Sequence, residues 1–325
     1  MKFYVMDAAP DGATLYLRDG PVPEPGAGQV LVKVHAASLN RGEFIRGHGL
    51  QKTGTSKPIG MECAGTIEKV GTGVMHLGVG DHVMGRCAGA FAEYAAMDAR
   101  EAIPMPPNLS FAQCATVPLT FLVVHDMLVA QGRLKAGEWV LITGVSSGVG
   151  VAALSAAKAI GAKVIGTSGS QAKLDALTRH GLDAGIETRA ADFHQQVTSL
   201  TSNHGVDLVI NTVGGSVFAE CVKSMAFEGR LATVGYVDNT LSAEIDIQAL
   251  HAKRLTLFGV SNKMRTPDMR AAGVPHFVRD FLPLLASGKI EPIIDRVYPF
   301  DQLADAKTYM ESNQQLGKIV LEVIR

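Results

Sequence analysis

The segment from Trp139 to Gly150 constrains the fold of this chain more than any other stretch of its sequence. An apolar run ending at Thr143 is followed at once by a Gly-Val-Ser-Ser-Gly turn, and a helix of small residues then runs to Gly161. Such a strand, turning sharply into a helix, directs the backbone N–H groups of the first helical turn toward an anion. The segment therefore predicts a parallel sheet with a pyrophosphate-binding turn at one edge.

The turn keeps only one glycine of the dinucleotide fingerprint G-x-G-x-x-G. Gly150 occupies the third position, which lets the helix pack closely on the strand, whereas Val145 and Ser147 occupy the first two. A dinucleotide site is predicted, with a glycine-rich turn that binds no ligand as the alternative. The loop residues expected to contact the cofactor are Ser146, Ser147, Gly148, Val149 and Gly150.

A change of sequence pattern divides the 325 residues into two predicted domains. The first part has short alternating segments between Gly and Pro, with strands predicted at 29–34, 64–70, 81–86 and 91–96. Apolar runs then alternate with helical stretches, with strands predicted at 139–143, 163–167, 184–186, 207–211, 230–234 and 255–258. The last part adds a predicted helix, 276–286, and predicted strands, 293–297 and 318–323. The predicted fold is α/β, with a β-barrel domain (1–117 and 262–325) and a doubly wound domain (118–261).

Charge and composition exclude several classes of partner. The formal net charge is -1, and Lys and Arg form no basic run that would favour nucleic acid. No apolar stretch approaches the ~20 residues needed to span a bilayer, and residues 1–10 carry no signal-like run. The four cysteines form no CxxC pair and are predicted to be buried apolar residues. We expect a cytoplasmic enzyme with a small-molecule substrate, acting on neither nucleic acid nor membranes.

The end of the second strand in the doubly wound domain indicates which dinucleotide binds. Sites that prefer NAD usually place an acid there to accept hydrogen bonds from the ribose hydroxyls, and no Asp or Glu lies between Gly161 and Lys173. Groups suited to a 2'-phosphate are present instead, on Thr167, Ser168, Ser170 and Lys173. The prediction is NADP(H), with Lys173 on a solvated helix face as the alternative.

Blocks along nearly the whole chain resemble the zinc-independent medium-chain dehydrogenases/reductases, and among these the quinone oxidoreductases. Residues 144–150 are similar to the family's cofactor loop, and residues 32–40 are similar to the strand that leads into its active-site Asn. Further blocks agree in order and spacing at 60–65, 70–73, 80–83, 89–94, 211–215, 229–235 and 316–321. The resemblance implies a GroES-like catalytic domain, a Rossmann cofactor domain, a nicotinamide in the cleft between them, and a homodimer joined through the Rossmann sheets.

Zinc-using alcohol dehydrogenases of the same superfamily are the natural competitor. Catalytic zinc needs three protein ligands, often two Cys and one His. By the resemblance, Asn40 stands at the first Cys position and Met61 at the His position. Residues 117–121, where the third ligand would fall, contain no Cys, His or acid. We therefore expect no metal.

A site without zinc needs another group to stabilise negative charge on a substrate carbonyl oxygen. The resemblance implies Asn40 in this role. Arg46 or His48 is expected to assist if its side chain faces the cleft, while a surface position for Arg46 and a structural or exposed position for His48 are the alternatives. The residues expected to line the nicotinamide part of the site, or otherwise only to pack, are Asn40, Thr120, Val213, Gly214, Gly235, Tyr236, Phe258 and Val260.

These features predict an NADPH-dependent reductase of quinones or of activated double bonds in α,β-unsaturated carbonyl compounds. In such enzymes the cofactor carries out the hydride chemistry, and the protein orients it and excludes water. An enoyl thioester reductase on the same scaffold and a non-enzymatic NADPH-binding sensor are the alternatives.

Overall fold

A computed structural model describes residues 1–9, 12–44 and 56–323, and the chain divides into two compact units. Unit 1 comprises Met1–Leu122, Asn262–Gly288 and Pro292–Arg325, and unit 2 comprises Val123–Ser261 and Lys289–Glu291. The strands are β1 (Lys2–Ala9), β2 (Gly12–Asp19), β3 (Gln29–Ser38), β4 (Ser56–Pro58), β5 (Glu62–Val70), β6 (His82–Arg86), β7 (Tyr94–Asp98), β8 (Ile103–Pro104), β9 (Trp139–Thr143), β10 (Lys163–Ser168), β11 (Ala184–Glu187), β12 (Val206–Asn211), β13 (Met225–Thr233), β14 (Thr256–Gly259), β15 (Ile294–Pro299) and β16 (Lys318–Glu322). The α-helices are α1 (Phe111–Ala115), α2 (Pro118–His125), α3 (Gly148–Ile160), α4 (Gln171–Thr178), α5 (His194–Leu200), α6 (Phe218–Ser224), α7 (Ile247–Ala252), α8 (Pro267–Ala271), α9 (Val274–Asp280), α10 (Leu282–Ala286) and α11 (Leu303–Glu311).

Unit 1 is built on a mainly antiparallel sheet with the strand order β15-β16-β3-β5-β6-β8, and β7 also pairs with β3. A second sheet has the order β2-β1-β4. Val30, Val32 and Val34 alternate along β3 and are fully buried, which suits β-branched residues on a pleated surface. Because β16 pairs with β3, with Val320 opposite Ser38, the C-terminal part of the chain reaches the end of β3.

Unit 2 is a parallel sheet with the order β11-β10-β9-β12-β13-β14. The order of the strands along the chain reverses between β9 and β12, which is the switch point of a doubly wound sheet. Val140, Leu141 and Ile142 of β9 are fully buried, as expected for a central strand covered on both faces.

The predicted α/β class, with one β-barrel domain and one Rossmann domain, is confirmed, while several element boundaries differ. The strand predicted at 91–96 is β7 and starts only at Tyr94, and the N-terminal strands β1 and β2 were not predicted. The helix predicted over 276–286 is two helices, α9 and α10, which meet at Phe281. Pro283 explains the break, because it has no backbone N–H and its ring would clash with the carbonyl of Arg279 in a continuous helix.

Within the described residues, no helix has the combination of length and apolar character needed to cross a membrane.

Candidate functional site

The loops expected to bind the dinucleotide leave the parallel sheet of unit 2 at one edge. Asn211, the last residue of β12, lies opposite Thr143 of β9 and Thr233 of β13, and Thr233 lies opposite Gly259 of β14. The loops that follow these strands therefore start side by side, at the edge where open α/β sheets bind ligands. We call this the strand-end edge, and the predicted residues that lie on it are Ser146, Ser147, Gly148, Val149, Gly150, Thr167, Ser168, Ser170, Val213, Gly214, Gly235, Tyr236 and Val260.

The turn before α3 seats the start of that helix directly on the end of β9. Ser147 is the N-cap, and its Oγ accepts a hydrogen bond from Gly150 N at 3.1 Å. A Cβ on Gly150 would lie 2.5 Å from Gly144 O and 2.6 Å from Val145 O, so only glycine fits. The remaining N–H groups of the first turn and the dipole of this 13-residue helix favour an anion at the strand-end edge.

Hydroxyl groups at the end of β10 connect it to the loop after β9. Thr167 Oγ1 accepts a hydrogen bond from Gly144 N at 3.2 Å, and Ser168 Oγ lies 3.3 Å from Ser146 Oγ. Thr167 and Ser168 are both buried in the chain as described. Thr167 thus holds the turn in place, while Ser146 and Ser168 form a hydroxyl pair beside it. Ser170 is the N-cap of α4, although its side chain makes no capping hydrogen bond.

Two charged residues that the sequence analysis did not consider reach the same loop. Arg189 Nη2 donates to Gly169 O at 3.4 Å, and the guanidinium packs so closely that any side chain at Gly169 would collide with it. Glu187, at the end of β11, accepts a hydrogen bond from Gln171 N at 3.1 Å. No local pattern assigns them to this loop, because Arg189 lies 20 residues beyond Gly169 along the chain. Lys173, the predicted cation, lies in α4 and is partly buried. The pairing of β11 with β10 is the signal that would have found Arg189 and Glu187.

The loop after β12 is held by the side chain of Asn211. Its Oδ1 accepts hydrogen bonds from Val213 N (3.0 Å) and Gly214 N (3.1 Å), and its Nδ2 donates to Gly214 O at 2.9 Å. Gly214 has φ +133°, and a Cβ there would collide with the carboxylate of Asp238. The backbone beside the switch point is therefore rigidly placed.

The other predicted lining residues differ in position and exposure. Tyr236 is 38% exposed, whereas Val260 is buried and Phe258 is half-buried within β14. Thr120 lies inside α2, where it is buried. Contact of these residues with a nicotinamide stays a prediction.

In unit 1, the carboxamide of Asn40 is fully engaged by three neighbouring side chains. Its Nδ2 donates to Glu43 Oε1 and to Glu62 Oε1, both at 2.9 Å, and its Oδ1 accepts from Lys318 Nζ at 2.7 Å. As placed, Asn40 has no amide hydrogen left for a substrate, so its donation to a carbonyl stays a prediction. We call Ser38, Asn40, Glu43, Glu62 and Lys318 the Asn40 network.

The core of this network is a buried ion pair. Glu62 Oε1 lies 3.0 Å from Lys318 Nζ, and their side chains are 0% and 7% exposed. Glu62 also accepts from Ser38 Oγ at 2.5 Å and from Leu119 N at 2.7 Å, and Lys318 also donates to Leu39 O at 3.0 Å. Both charges are thus paired and hydrogen-bonded, the condition under which buried ions are tolerated.

Glu43 is the member of the network whose carboxyl group is only half satisfied. It ends the short 3-10 helix Arg41–Glu43, is 2% exposed, and its Oε2 has no hydrogen-bond partner among the described residues. The pKa of Glu43 is raised to about 8, mainly by burial and to a smaller extent by the nearby Glu62, while the Asn40 amide and Lys318 oppose the shift. Glu43 is therefore mainly neutral at pH 7.

Two of the predicted site residues, Arg46 and His48, lie outside the described residues.

Over residues 1–9, 12–44 and 56–323, no group of three His, Cys, Asp or Glu side chains could hold a metal ion. Three of the cysteines are buried as predicted, namely Cys63, Cys114 and Cys221, whereas Cys87 is partly exposed and its Sγ lies 3.5 Å from Cys63 Sγ.

Two solved structures are similar to nearly the whole chain. A mycobacterial protein, Rv1454c, complexed with NADPH, is 26% identical with a TM-score of 0.87, and the match covers 99% of this chain and 100% of that one. A structure of a mycobacterial quinone oxidoreductase is also 26% identical, with a TM-score of 0.85 and the same coverage.

A curated relative matches as one part of a much longer protein. A phenolphthiocerol/phthiocerol polyketide synthase of Mycobacterium tuberculosis is 32% identical over 301 residues, which is 92% of this chain. The matched region is only 14% of that relative's own length.

Two family models match the chain in the order that the two units suggest. The alcohol dehydrogenase GroES-like domain matches residues 26–107, and the model described as zinc-binding dehydrogenase matches residues 148–275. The chain therefore carries both domains and belongs to the medium-chain dehydrogenase/reductase superfamily of oxidoreductases.

Proposed function

We propose that this chain is an NADPH-dependent reductase of quinones or of α,β-unsaturated carbonyl compounds. The observation that carries the proposal is the strand-end edge of unit 2. There Ser146, two residues before α3 begins, forms a hydroxyl pair with Ser168, and the Arg189 guanidinium bonds to the carbonyl of Gly169. The similarity to a structure complexed with NADPH supports this choice of cofactor.

The residues at the strand-end edge fit NADPH. The tight approach of Gly150 to the turn leaves room for a pyrophosphate against the first turn of α3. Ser168, Ser170, Lys173 and Arg189 would hold the 2'-phosphate, since hydroxyl and cationic groups are its natural donors. When bound, NADPH supplies the hydride for the reduction.

In unit 1, Asn40 would bind the substrate carbonyl oxygen through one of its amide hydrogens. Negative charge that develops on that oxygen is stabilised by a donor already held in place. Lys318, which is bonded to the amide oxygen of Asn40, polarises the carboxamide and makes its N–H groups stronger donors.

We further propose that the enzyme needs no zinc, although one matching family model is described as zinc-binding. The donor set at the expected zinc position does not fit the metal, because Asn40 and Met61 offer an amide and a thioether. In addition, the Lys318 ammonium lies 2.7 Å from Asn40 Oδ1 and would repel a dication.

Purified protein is therefore expected to contain far less than one zinc per chain and to keep its activity in a strong chelator. Elemental analysis and assays before and after chelation measure this. Stoichiometric zinc whose removal abolishes activity would contradict the proposal.

We predict that NADPH is preferred to NADH by at least about tenfold in kcat/KM. A charge-assisted hydrogen bond contributes about 1.5–3 kcal/mol, equivalent to roughly 10-fold to 150-fold in affinity. Arg189→Ala and Lys173→Ala should each weaken the binding of NADPH by about this factor and leave the binding of NADH unchanged. Steady-state assays of the parent and of each variant with both cofactors measure kcat/KM, and titrations measure the Kd of each cofactor.

Arg179→Ala is the matched control, because Arg179 is an exposed arginine at the other end of α4. It removes the same charge and should leave both cofactors unaffected. Equal use of NADH by the parent would refute the preference. An equal loss of both cofactors in Arg189→Ala or Lys173→Ala would assign that residue a structural role.

The substrate class is tested by NADPH oxidation against a panel of quinones, enones and enoyl thioesters. An enoyl thioester reductase is the second candidate, favoured by the match to one segment of a polyketide synthase. Turnover of quinones or simple enones supports the main proposal, and turnover of thioesters alone supports the second. NADPH binding with no turnover of any acceptor would indicate the sensor instead.

We also propose that the enzyme is a homodimer joined through β14. Within the described sheet of unit 2, β14 is an edge strand paired only with β13. An edge strand of this kind offers unpaired N–H and C=O groups to a second copy. A cytoplasmic location stays a prediction from composition.

A further inference from the structure

The Asn40 carboxamide can bind a substrate only if it first gives up a hydrogen bond. Both of its N–H groups already donate to carboxyl groups, one on Glu43 and one on Glu62. Its oxygen is held by Lys318. A substrate carbonyl must therefore displace one of the two carboxyl acceptors, and the weaker acceptor is the one released.

The two acceptors differ in charge and in surroundings. Glu62 is paired with the Lys318 ammonium at 3.0 Å and receives three further hydrogen bonds, which together stabilise its carboxylate form. Among the described residues, Glu43 has no ion pair and its Oε2 has no hydrogen-bond partner. A hydrogen bond to a carboxylate is roughly twice as strong as one to a neutral group. As long as Glu43 carries its proton, it is the acceptor that releases Asn40.

The charges that face Glu43 favour this neutral form. Glu62 approaches from β5 and Lys318 from β16, so the buried set is balanced when Glu43 is protonated and carries one excess negative charge when it is not. On its own segment, Arg41 turns away, with Nη2 on Met310 O (2.7 Å) and Asn313 Oδ1 (2.6 Å). Burial raises the pKa of Glu43 to about 8, which places the change of state just above neutral pH.

We propose that Glu43 is a positioning residue that releases the Asn40 amide to the substrate when protonated and locks it when ionised. The inference rests on the proposed function, in which Asn40 binds the substrate carbonyl. Loss of the proton would turn Glu43 Oε1 into a charged acceptor that competes with the substrate. Turnover therefore falls as pH rises through the pKa of a group that never touches the substrate.

The test is the pH dependence of kcat for the parent, Glu43→Gln and the control Glu68→Gln. Gln keeps the acceptor oxygen but cannot ionise. Glu68 is an exposed residue of β5, so Glu68→Gln makes the same side-chain replacement away from the Asn40 network. Above about pH 8, the kcat of the parent and of the control should fall about tenfold per pH unit, as for a single ionisation. The kcat of Glu43→Gln should stay level over that range, with the Kd for NADPH unchanged.

If the parent is active but the kcat of Glu43→Gln falls above pH 8 as the parent's does, the inference is wrong and the proposed function still stands. A parent inactive on every carbonyl acceptor overturns both, so the two failures are distinguishable. A purely structural role for Glu43 would lower activity at all pH values without removing the decline.

Two measurements do not depend on turnover. The side-chain amide resonance of Asn40 in protein labelled with 15N-Asn should move with a midpoint near pH 8, and a resonance that stays still overturns the inference even if Glu43→Gln does not fold.

The pH dependence of thermal stability is the second measurement. The pKa of Glu43 rises on folding from 4.5 to about 8, so the folded chain keeps a proton that the unfolded chain has lost. The thermal midpoint of the parent should therefore decrease as the pH is raised from 4.5 to about 8, and it should decrease less in Glu43→Gln. Equal pH dependence of the two midpoints would show that Glu43 does not titrate as required.

Discussion

Lys318→Met is expected to lower the free energy of unfolding by about 3–5 kcal/mol, the usual cost of removing one partner of a buried ion pair. Lys318 is the only cation within hydrogen-bond distance of Glu62 in the part of the chain that the structure describes. Without it, a carboxylate that is 0% exposed keeps its neutral donors but loses its counter-charge. Urea unfolding of parent and variant, followed by circular dichroism, measures the difference.

Two further variants separate the charge effect from packing. Lys318→Met combined with Glu62→Gln removes both charges and should recover a substantial part of the lost stability. Lys307→Met removes one partner of the exposed Lys307–Glu311 pair and should cost less than about 1 kcal/mol. A loss below about 1 kcal/mol in Lys318→Met, or a double variant that is no more stable than the single one, would show that the pair is not a stabilising element.

Asn40→Ala is expected to lower kcat on the best carbonyl acceptor by about 10²–10³, the usual loss when one oxyanion donor is removed. The affinity for NADPH should change little, because Asn40 lies in unit 1 and the strand-end edge in unit 2. Alanine also leaves Glu43, Glu62 and Lys318 each short of a hydrogen bond, so some loss of stability accompanies the loss of turnover. Turnover must therefore be expressed per NADPH-binding site, titrated by fluorescence.

Asn108→Ala serves as the matched control. Asn108 also lies in unit 1, and although the residue is exposed, its amide makes a partly buried hydrogen bond to Leu285 O at 3.0 Å. Its removal tests the loss of an asparagine hydrogen bond away from the Asn40 network, and turnover should remain near the parent value. If Asn40→Ala lowers turnover no more than Asn108→Ala does, Asn40 only holds the network together.

Glu43 and Arg189 are two residues near the candidate site that were not predicted from the sequence. The turn of 144–150 and the absence of an acid after β10 could be detected from the sequence because they depend on residues that are neighbours along the chain. Arg189 could not be detected in this way, because it is the pairing of β11 with β10 that brings it close to Gly169. The helix predicted over 276–286 failed for a local reason that was overlooked, the missing N–H of Pro283.

By itself, the sequence predicted the fold class, which the structure confirms, and it indicated the turn of 144–150 and Asn40 as candidate site residues. Strand, turn and helix signals act over a few residues, so periodicity and glycine placement are enough to predict them. Only the tertiary structure decided what surrounds Asn40. Lys318 lies 278 residues away along the chain and Glu62 lies 22, yet both bond to its side chain because β16 and β5 flank β3. Charge compensation in a buried site depends on distance in space, and no local pattern records which distant residue will supply the opposite charge.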